Sequence, residues 1–219
     1  MNKLIAASLL AFAVAGSAPA RADDDSGLTF GLRAAYGVPF GSAGDGTDLN
    51  ELTSGAFPLQ LDAGYRFDRH WSAGAYLGYG VAMLAGDAKS ALAAQGATDI
   101  GGHALMRVGL QGTYTFLPEA RIAPWVGLAA GYEWTRYASA KVNGQDTEIG
   151  VRGFEASLQI GGDYKIAPRF TVGPFASFHV GQFQSRMTFT DGSGETASGV
   201  TDKGLHEWLE FGLKGTFNL

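Results

Sequence analysis

Ser177 and His179 are the two residues whose types and spacing come nearest to nucleophilic chemistry. A hydroxyl nucleophile needs a base within hydrogen-bond reach and a carboxylate to orient that base. Two positions apart in an extended segment, the two side chains share one face, and an acidic residue on a neighbouring segment could complete the set. The other histidines stand apart: His70 lies in a short connection, His103 and His206 near the edges of long ones. Asp45, Asp48 and Glu51, or Asp191 and Glu195, offer oxygen ligands, but neither group has the spacing of an ordered calcium loop. Cysteine is absent, which excludes a disulfide framework and a zinc–thiolate centre. No metal and no cofactor is expected. The larger set consists of ten ionisable residues set among apolar neighbours: Arg33, Asp62, Arg66, Arg107, Glu133, Glu155, Asp163, Lys165, Glu210 and Lys214. Five are basic and five acidic.

The segments that carry these charges share a period of two. Leu28, Phe30, Leu32, Ala34, Tyr36 and Val38 alternate with smaller or polar residues, and the rhythm returns in 57–67, 71–81, 104–116, 124–134, 154–166, 170–180 and 209–219. These eight runs of about ten residues have the length a tilted strand needs to cross a bilayer. Their connections also alternate. Residues 68–70, 117–123 and 167–169 are short, whereas 40–56, 82–103, 135–153 and 181–208 are long, the last holding the turn sequence Asp191-Gly192-Ser193-Gly194. A helical turn is expected within Ser90–Gln95. Short turns at one end and long loops at the other describe an up-and-down antiparallel barrel with both termini at the short-turn end.

Glycine decides which face of the barrel meets lipid. The chain has 219 residues, 33 of them Gly, with 46% hydrophobic, 12% aromatic and 17% charged residues. That composition argues against disorder. No run of eighteen apolar residues occurs, so a bundle of membrane-spanning helices is excluded. Gly31, Gly37, Gly74, Gly78, Gly80, Gly109, Gly127, Gly131, Gly161, Gly173 and Gly212 fall on the more polar face. Glycine weakens a water-facing strand, but small residues suit the narrow interior of an eight-stranded barrel. The glycine face therefore points inward and the Leu, Phe and Tyr face meets lipid. Aromatic residues gather at both ends of the runs, as expected where amphipathic rings settle at two headgroup levels. Phe67, Trp71, Phe116, Tyr164, Phe170 and Phe217 lie toward the short turns; Tyr36, Phe57, Tyr79, Tyr132 and Trp134 lie toward the long loops.

On this register the ten ionisable residues face the lumen. Balanced charge in a narrow, low-dielectric tube predicts ion pairs that satisfy one another, with Gln60, Gln111, Tyr76, Thr113 and Thr115 filling hydrogen bonds between them. A ring of one sign would instead suggest an ion-selective pore. Ser177 and His179 are read as members of the same polar network.

Residues 1–22, MNKLIAASLLAFAVAGSAPARA, have the pattern of a secretory signal peptide: Lys3, a short apolar core and Ala20-Arg21-Ala22 before three aspartates. Its removal would leave 14 basic and 21 acidic residues, changing the formal charge from −5 to −7. A net acidic, exported, cysteine-free chain suits a bacterial envelope and not nucleic acid. Residues 23–27 form a short lead and 28–219 the barrel, with no further periplasmic module expected.

Residues 27–219 resemble the small eight-stranded outer-membrane β-barrel superfamily, which includes the OmpA transmembrane domain and OmpX-like proteins. The resemblance rests on the signal peptide, the paired strands, Pro124-Trp125-Val126-Gly127-Leu128, and Phe211-x-Leu213-x-Gly215-x-Phe217-x-Leu219. The last is similar to the C-terminal signal read by the barrel-assembly machinery, with Leu219 where the family usually has Phe. The resemblance implies a cleaved signal peptide, an outer-membrane location, and contact with lipid and lipopolysaccharide. A closed barrel needs no partner at its edges, so a monomer is expected. A non-enzymatic structural or surface-interaction role through four extracellular loops is favoured. The alternatives are a narrow porin-like channel for small solutes, a lipid-modifying enzyme and, last, a soluble ligand-binding barrel. The enzyme is disfavoured because Ser177 and His179 point inward and depart from the His-x-Ser order of the lipid A deacylase family.

Overall fold

The computed structural model describes residues 26–219 other than 45, 102, 143, 144 and 191–193. The expected signal peptide at 1–22, and Asp45 and Asp191 of the acidic loop groups, lie outside the described residues. Eight strands form the barrel: β1 (Gly27–Gly44), β2 (Thr53–Arg66), β3 (Trp71–Leu84), β4 (His103–Thr115), β5 (Ile122–Val142), β6 (Gln145–Ala167), β7 (Phe170–Thr190) and β8 (His206–Asn218). Each pairs antiparallel with its chain neighbours, and β8 closes the ring against β1 from Thr29↔Asn218 to Gly41↔His206. Among the described residues no helix is long and apolar enough to cross a membrane.

The period-two pattern becomes a two-sided wall. Leu61, Leu77, Leu110, Leu128, Ile160 and Leu213 stand outward and exposed, up to 70% at Leu110, while Arg33, Arg107, Glu133 and Gln159 point inward and are buried. Such a surface is unstable in water and fits hydrocarbon. From Trp71 to Tyr79 on β3 is about 20 Å along the barrel axis for a strand tilted by about 40°, close to the height of a lipid-facing apolar band. The rings at each end also pack on one another. Trp71 meets Tyr114 at 4.8 Å between centroids, Tyr132 meets Trp134 at 4.7 Å, and Tyr36 meets Phe57 at 5.1 Å.

Side chains close the first short turn. Asp68 Oδ1 accepts the backbone N–H of His70 (2.7 Å) and of Trp71 (2.8 Å), an Asx turn that sets β3 off in register. These two N–H groups hold the Asp68 carboxyl below the usual carboxylate range.

The long-loop end departs from the sequence expectation. Strands β5, β6 and β7 run 21, 23 and 21 residues, well beyond the alternating segments, so much of 135–153 and 181–208 is strand and not loop. Two short strands, Thr98–Gly101 on β5 and Gly194–Gly199 on β7, widen this extension. Above the bilayer neither face meets lipid, so the backbone ladder continues after the apolar alternation stops. A four-residue helix, α1 (Leu49–Leu52), precedes β2, and the expected helical turn at Ser90–Gln95 is a longer helix, α2 (Gly86–Ala94).

Candidate functional site: a lumen in three layers

The interior is stratified from the long-loop end to the short-turn end. At the top, α1 lowers Leu49 into an apolar stopper with Ala43, Ala56, Ala82, Leu105, Val151, Phe183, Val200 and Trp208. Leu49, Val151 and Trp208 are wholly buried. Loop and strand ends thus supply a small hydrophobic core in a barrel whose other apolar residues mostly face outward.

Beneath the stopper lies an ionic layer centred on Arg107. Register places Arg107 of β4 directly opposite Glu133 of β5, and the guanidinium Nε lies 3.4 Å from Glu133 and 3.1 Å from Glu155. Its Nη1 donates to Glu210 of β8, and its plane lies 5.6 Å from the Trp208 ring centroid. Thr135 donates to Glu133 at 2.7 Å and Tyr76 to Glu155 at 3.1 Å. Two histidines complete the layer. His179 lies 3.4 Å from Glu155 and 3.3 Å from Glu210, while His206 stacks on Phe183 at 3.7 Å and lies 3.6 Å from Glu133. One guanidinium thus links carboxylates from three other strands, an arrangement in which removal of the cation strands buried charge.

Ser177 and His179 belong to this layer. His179 Nε2 lies 3.1 Å from Ser177 Oγ, and Ser177 donates to Glu210 at 3.4 Å. The hydroxyl, imidazole and carboxylate that a triad needs are therefore adjacent, but Ser177 and His179 are only 3% and 4% exposed. The open cavity below them is lined as far as Arg33 and Gln111 and includes neither residue.

The third layer is built on Arg33. Its Nε donates to Asp62 (2.6 Å), Nη1 to Gln159 (2.7 Å) and Nη2 to Gln111 (3.0 Å), bracing β1 to β2, β6 and β4. Gln60 donates to Asp62, and Gln159 to Ser157. Lys214 reaches Asp163 at 3.1 Å and lies 4.1 Å from the centroid of Trp125, whose indole N–H also donates to Asp163 at 2.8 Å. Glycines make room for these large groups. A Cβ at Gly131 would meet the Tyr76 hydroxyl, one at Gly109 the Tyr76 ring, and one at Gly161 the Trp125 ring.

Eight of the ten sequence-nominated ionisable residues thus fall into these two polar layers. Arg66 and Lys165 do not. They occupy the last inward positions before the short turns, where the interior opens to water, and neither has an ion-pair partner among the described residues. Solvent stabilises a cation there without a counter-charge. The sequence reading did not place Trp125, Phe175, Phe183, Trp208 or His206 in the lumen, where all five are buried. Parity was the available signal, since Trp125 shares its phase with Gly127 and Glu133, and Trp208 with Glu210. Of the girdle residues, Phe57, Phe67, Trp71, Tyr79 and Phe116 stand more than half exposed. Tyr36, Phe170 and Phe217 are less open, and Tyr132, Trp134 and Tyr164 are partly covered by neighbours.

Several solved structures share the barrel. Neisserial surface protein A is 13% identical over 87% of this chain and 97% of its own, with a TM-score of 0.51. A major outer membrane protein from Thermus thermophilus is 15% identical over 88% and 99%, also with a TM-score of 0.51. At such identities the likeness concerns the fold. No curated protein matches the chain in sequence. The model of the outer membrane protein beta-barrel domain matches residues 6–174, more than half the chain, which places the protein in the bacterial outer membrane. With the closed ring of eight strands, its lipid-facing wall and its polar interior, the chain belongs to the outer membrane protein beta-barrel domain family.

Proposed function

We infer that this barrel is a non-conducting, non-enzymatic envelope protein that works through its long-loop end. The observation that carries this reading is the stacked obstruction of the lumen, an apolar stopper above the Arg107 layer. A solute path would have to displace Leu49 and Trp208 and then separate Arg107 from three carboxylates. A lipid-modifying role would need a nucleophile open to the bilayer, and Ser177 is enclosed on the inward face. At the long-loop end, the surface accessible outside the membrane includes the extension of β5, β6 and β7 with its two short flanking strands, a surface suited to contact lipopolysaccharide, other envelope components or other surfaces. The barrel is read as a monomer that is inserted by the barrel-assembly machinery through its C-terminal strand and is stable in outer-membrane lipid without an edge partner.

Single-channel recording of refolded protein in a planar bilayer tests the reading, after a heat-dependent gel shift has verified the folded barrel. Silence is expected. Steady conductance that increases in Arg107→Ala or Glu133→Ala would refute it and favour a narrow channel for small solutes.

A further inference from the structure

The short-turn end of the lumen is the reverse of its stoppered top. A cavity of about 140 Å³ opens there, floored by Arg33, Gln111 and Trp125 and walled by the last inward residues of the strands. Its charge is not balanced. Asp62 answers Arg33, Asp163 answers Lys214, and Glu119, from outside the cavity, answers Arg69 at 2.8 Å. Arg66 of β2 and Lys165 of β6 line the same space with no acidic partner among the described residues. A third unmatched donor is close by, because Thr216 Oγ1 is buried without a hydrogen-bond partner among the described residues and belongs to the same lining. The chain as a whole is acidic, with a formal charge of −5, so the cationic mouth does not reflect general basicity.

From these observations we propose that the short-turn mouth is a binding cup for a small phosphate-class oxyanion taken from the aqueous compartment. Arg66 and Lys165 stand on non-adjacent strands and can approach an anion from different walls. A guanidinium offers paired N–H donors to two oxygens, an ammonium a compact charge, and the Thr216 hydroxyl a neutral donor. The low-dielectric wall concentrates the field of the two unpaired cations along the axis. The Arg33 layer and Trp125 form a floor, so the cup retains an anion and does not transmit it. This assignment does not depend on the role of the opposite end.

Inorganic pyrophosphate titrated into the full refolded barrel in non-ionic detergent, followed by isothermal calorimetry, tests the proposal. Saturable 1:1 binding is expected, weakened by roughly tenfold or more in Arg66→Gln/Lys165→Gln and by a smaller factor in Thr216→Val. It should also weaken with added salt. Arg136→Gln, at the long-loop end, should bind as the parent does. The heat-dependent gel shift verifies that each variant is folded. Absence of binding in the folded parent, or binding unchanged in the double variant, would overturn the proposal. A second arm uses lipid discs. If pyrophosphate binds in phosphatidylcholine discs but is excluded when phosphatidylglycerol is included, the site takes a headgroup phosphate and the soluble-anion assignment falls. Equal binding in both supports it.

Discussion

Replacing Arg107 by Met keeps most of the side-chain volume but removes the cation on which Glu133, Glu155 and Glu210 converge. Arg107 is 3% exposed and Glu133 fully buried, so water cannot readily take over the lost interactions. Breaking a buried pair by removing one partner costs about 3–5 kcal/mol, because the remaining charge is left uncompensated. Here three carboxylates lose their common partner, which places the expected loss near the upper end, about 5 kcal/mol. The two histidines offset part of it by their proximity to the same carboxylates. Arg107→Lys should recover part of the loss, since an ammonium restores charge but cannot reach three acceptors in the same fork geometry. Urea unfolding of barrels refolded into lipid vesicles, followed by tryptophan emission, measures the difference. With a slope of about 2 kcal/mol per molar urea, a loss of about 5 kcal/mol lowers the midpoint by about 2.5 M in Arg107→Met, less whatever the two histidines offset. A shift corresponding to less than about 1 kcal/mol would mean that water reaches this layer, and the sealed-lumen reasoning would fail with it.

Other perturbations probe the wall, the glycine face and the turns. Leu110→Arg and Leu128→Arg, both at exposed mid-strand positions, should each cost about 2–4 kcal/mol in a bilayer, as measured by the same unfolding experiment. Single-tryptophan variants should divide cleanly: Trp71 quenched by bromine-labelled lipid, Trp125 and Trp208 protected. Gly131→Ala should destabilise by about 1–3 kcal/mol, with part recovered in Gly131→Ala/Tyr76→Phe, because the added methyl meets the Tyr76 hydroxyl. Asp68→Ala should lower stability near neutral pH. The Asp68 carboxyl titrates lower in the folded chain than in the unfolded one, so its contribution is present above the ordinary carboxylate range and fades as pH falls through the folded value. A pH series of parent and variant should therefore converge in acid.

The membrane-embedded part of the barrel was legible because two environments press on one strand. Lipid demands apolar side chains from one phase, and a narrow interior demands glycine or paired polar groups from the other, so the alternation in β1–β8 is sharp. Beyond the bilayer that pressure disappears. Val142, Gln145 and Thr188 carry no face signal, and the hairpin of β5 and β6 is held by its backbone ladder. Inside the barrel, parity identified Arg33 and Glu210 but not their partners, because pairing across a lumen depends on shear and side-chain reach. Trp125 and Trp208 show the same limit from the opposite direction. A large aromatic suits a girdle by composition, yet a glycine on a neighbouring strand can turn it into lumen filling.

Two arginines explain how so glycine-rich a wall holds together. Each strand glycine removes side-chain packing and adds backbone freedom to the unfolded chain. The barrel offsets that loss from within. Arg33 ties β1 to β2, β4 and β6, and Arg107 ties β4 to β5, β6 and β8. Strands that are not neighbours in the ring are thereby fixed at the distance of one guanidinium and its acceptors, which backbone pairing alone cannot do. The glycines opposite Tyr76 and Trp125 bring the remaining bulk across the axis. The same groups that set the barrel's cross-section therefore also obstruct it, so a variant that opened a path through the lumen should lose stability in the same step.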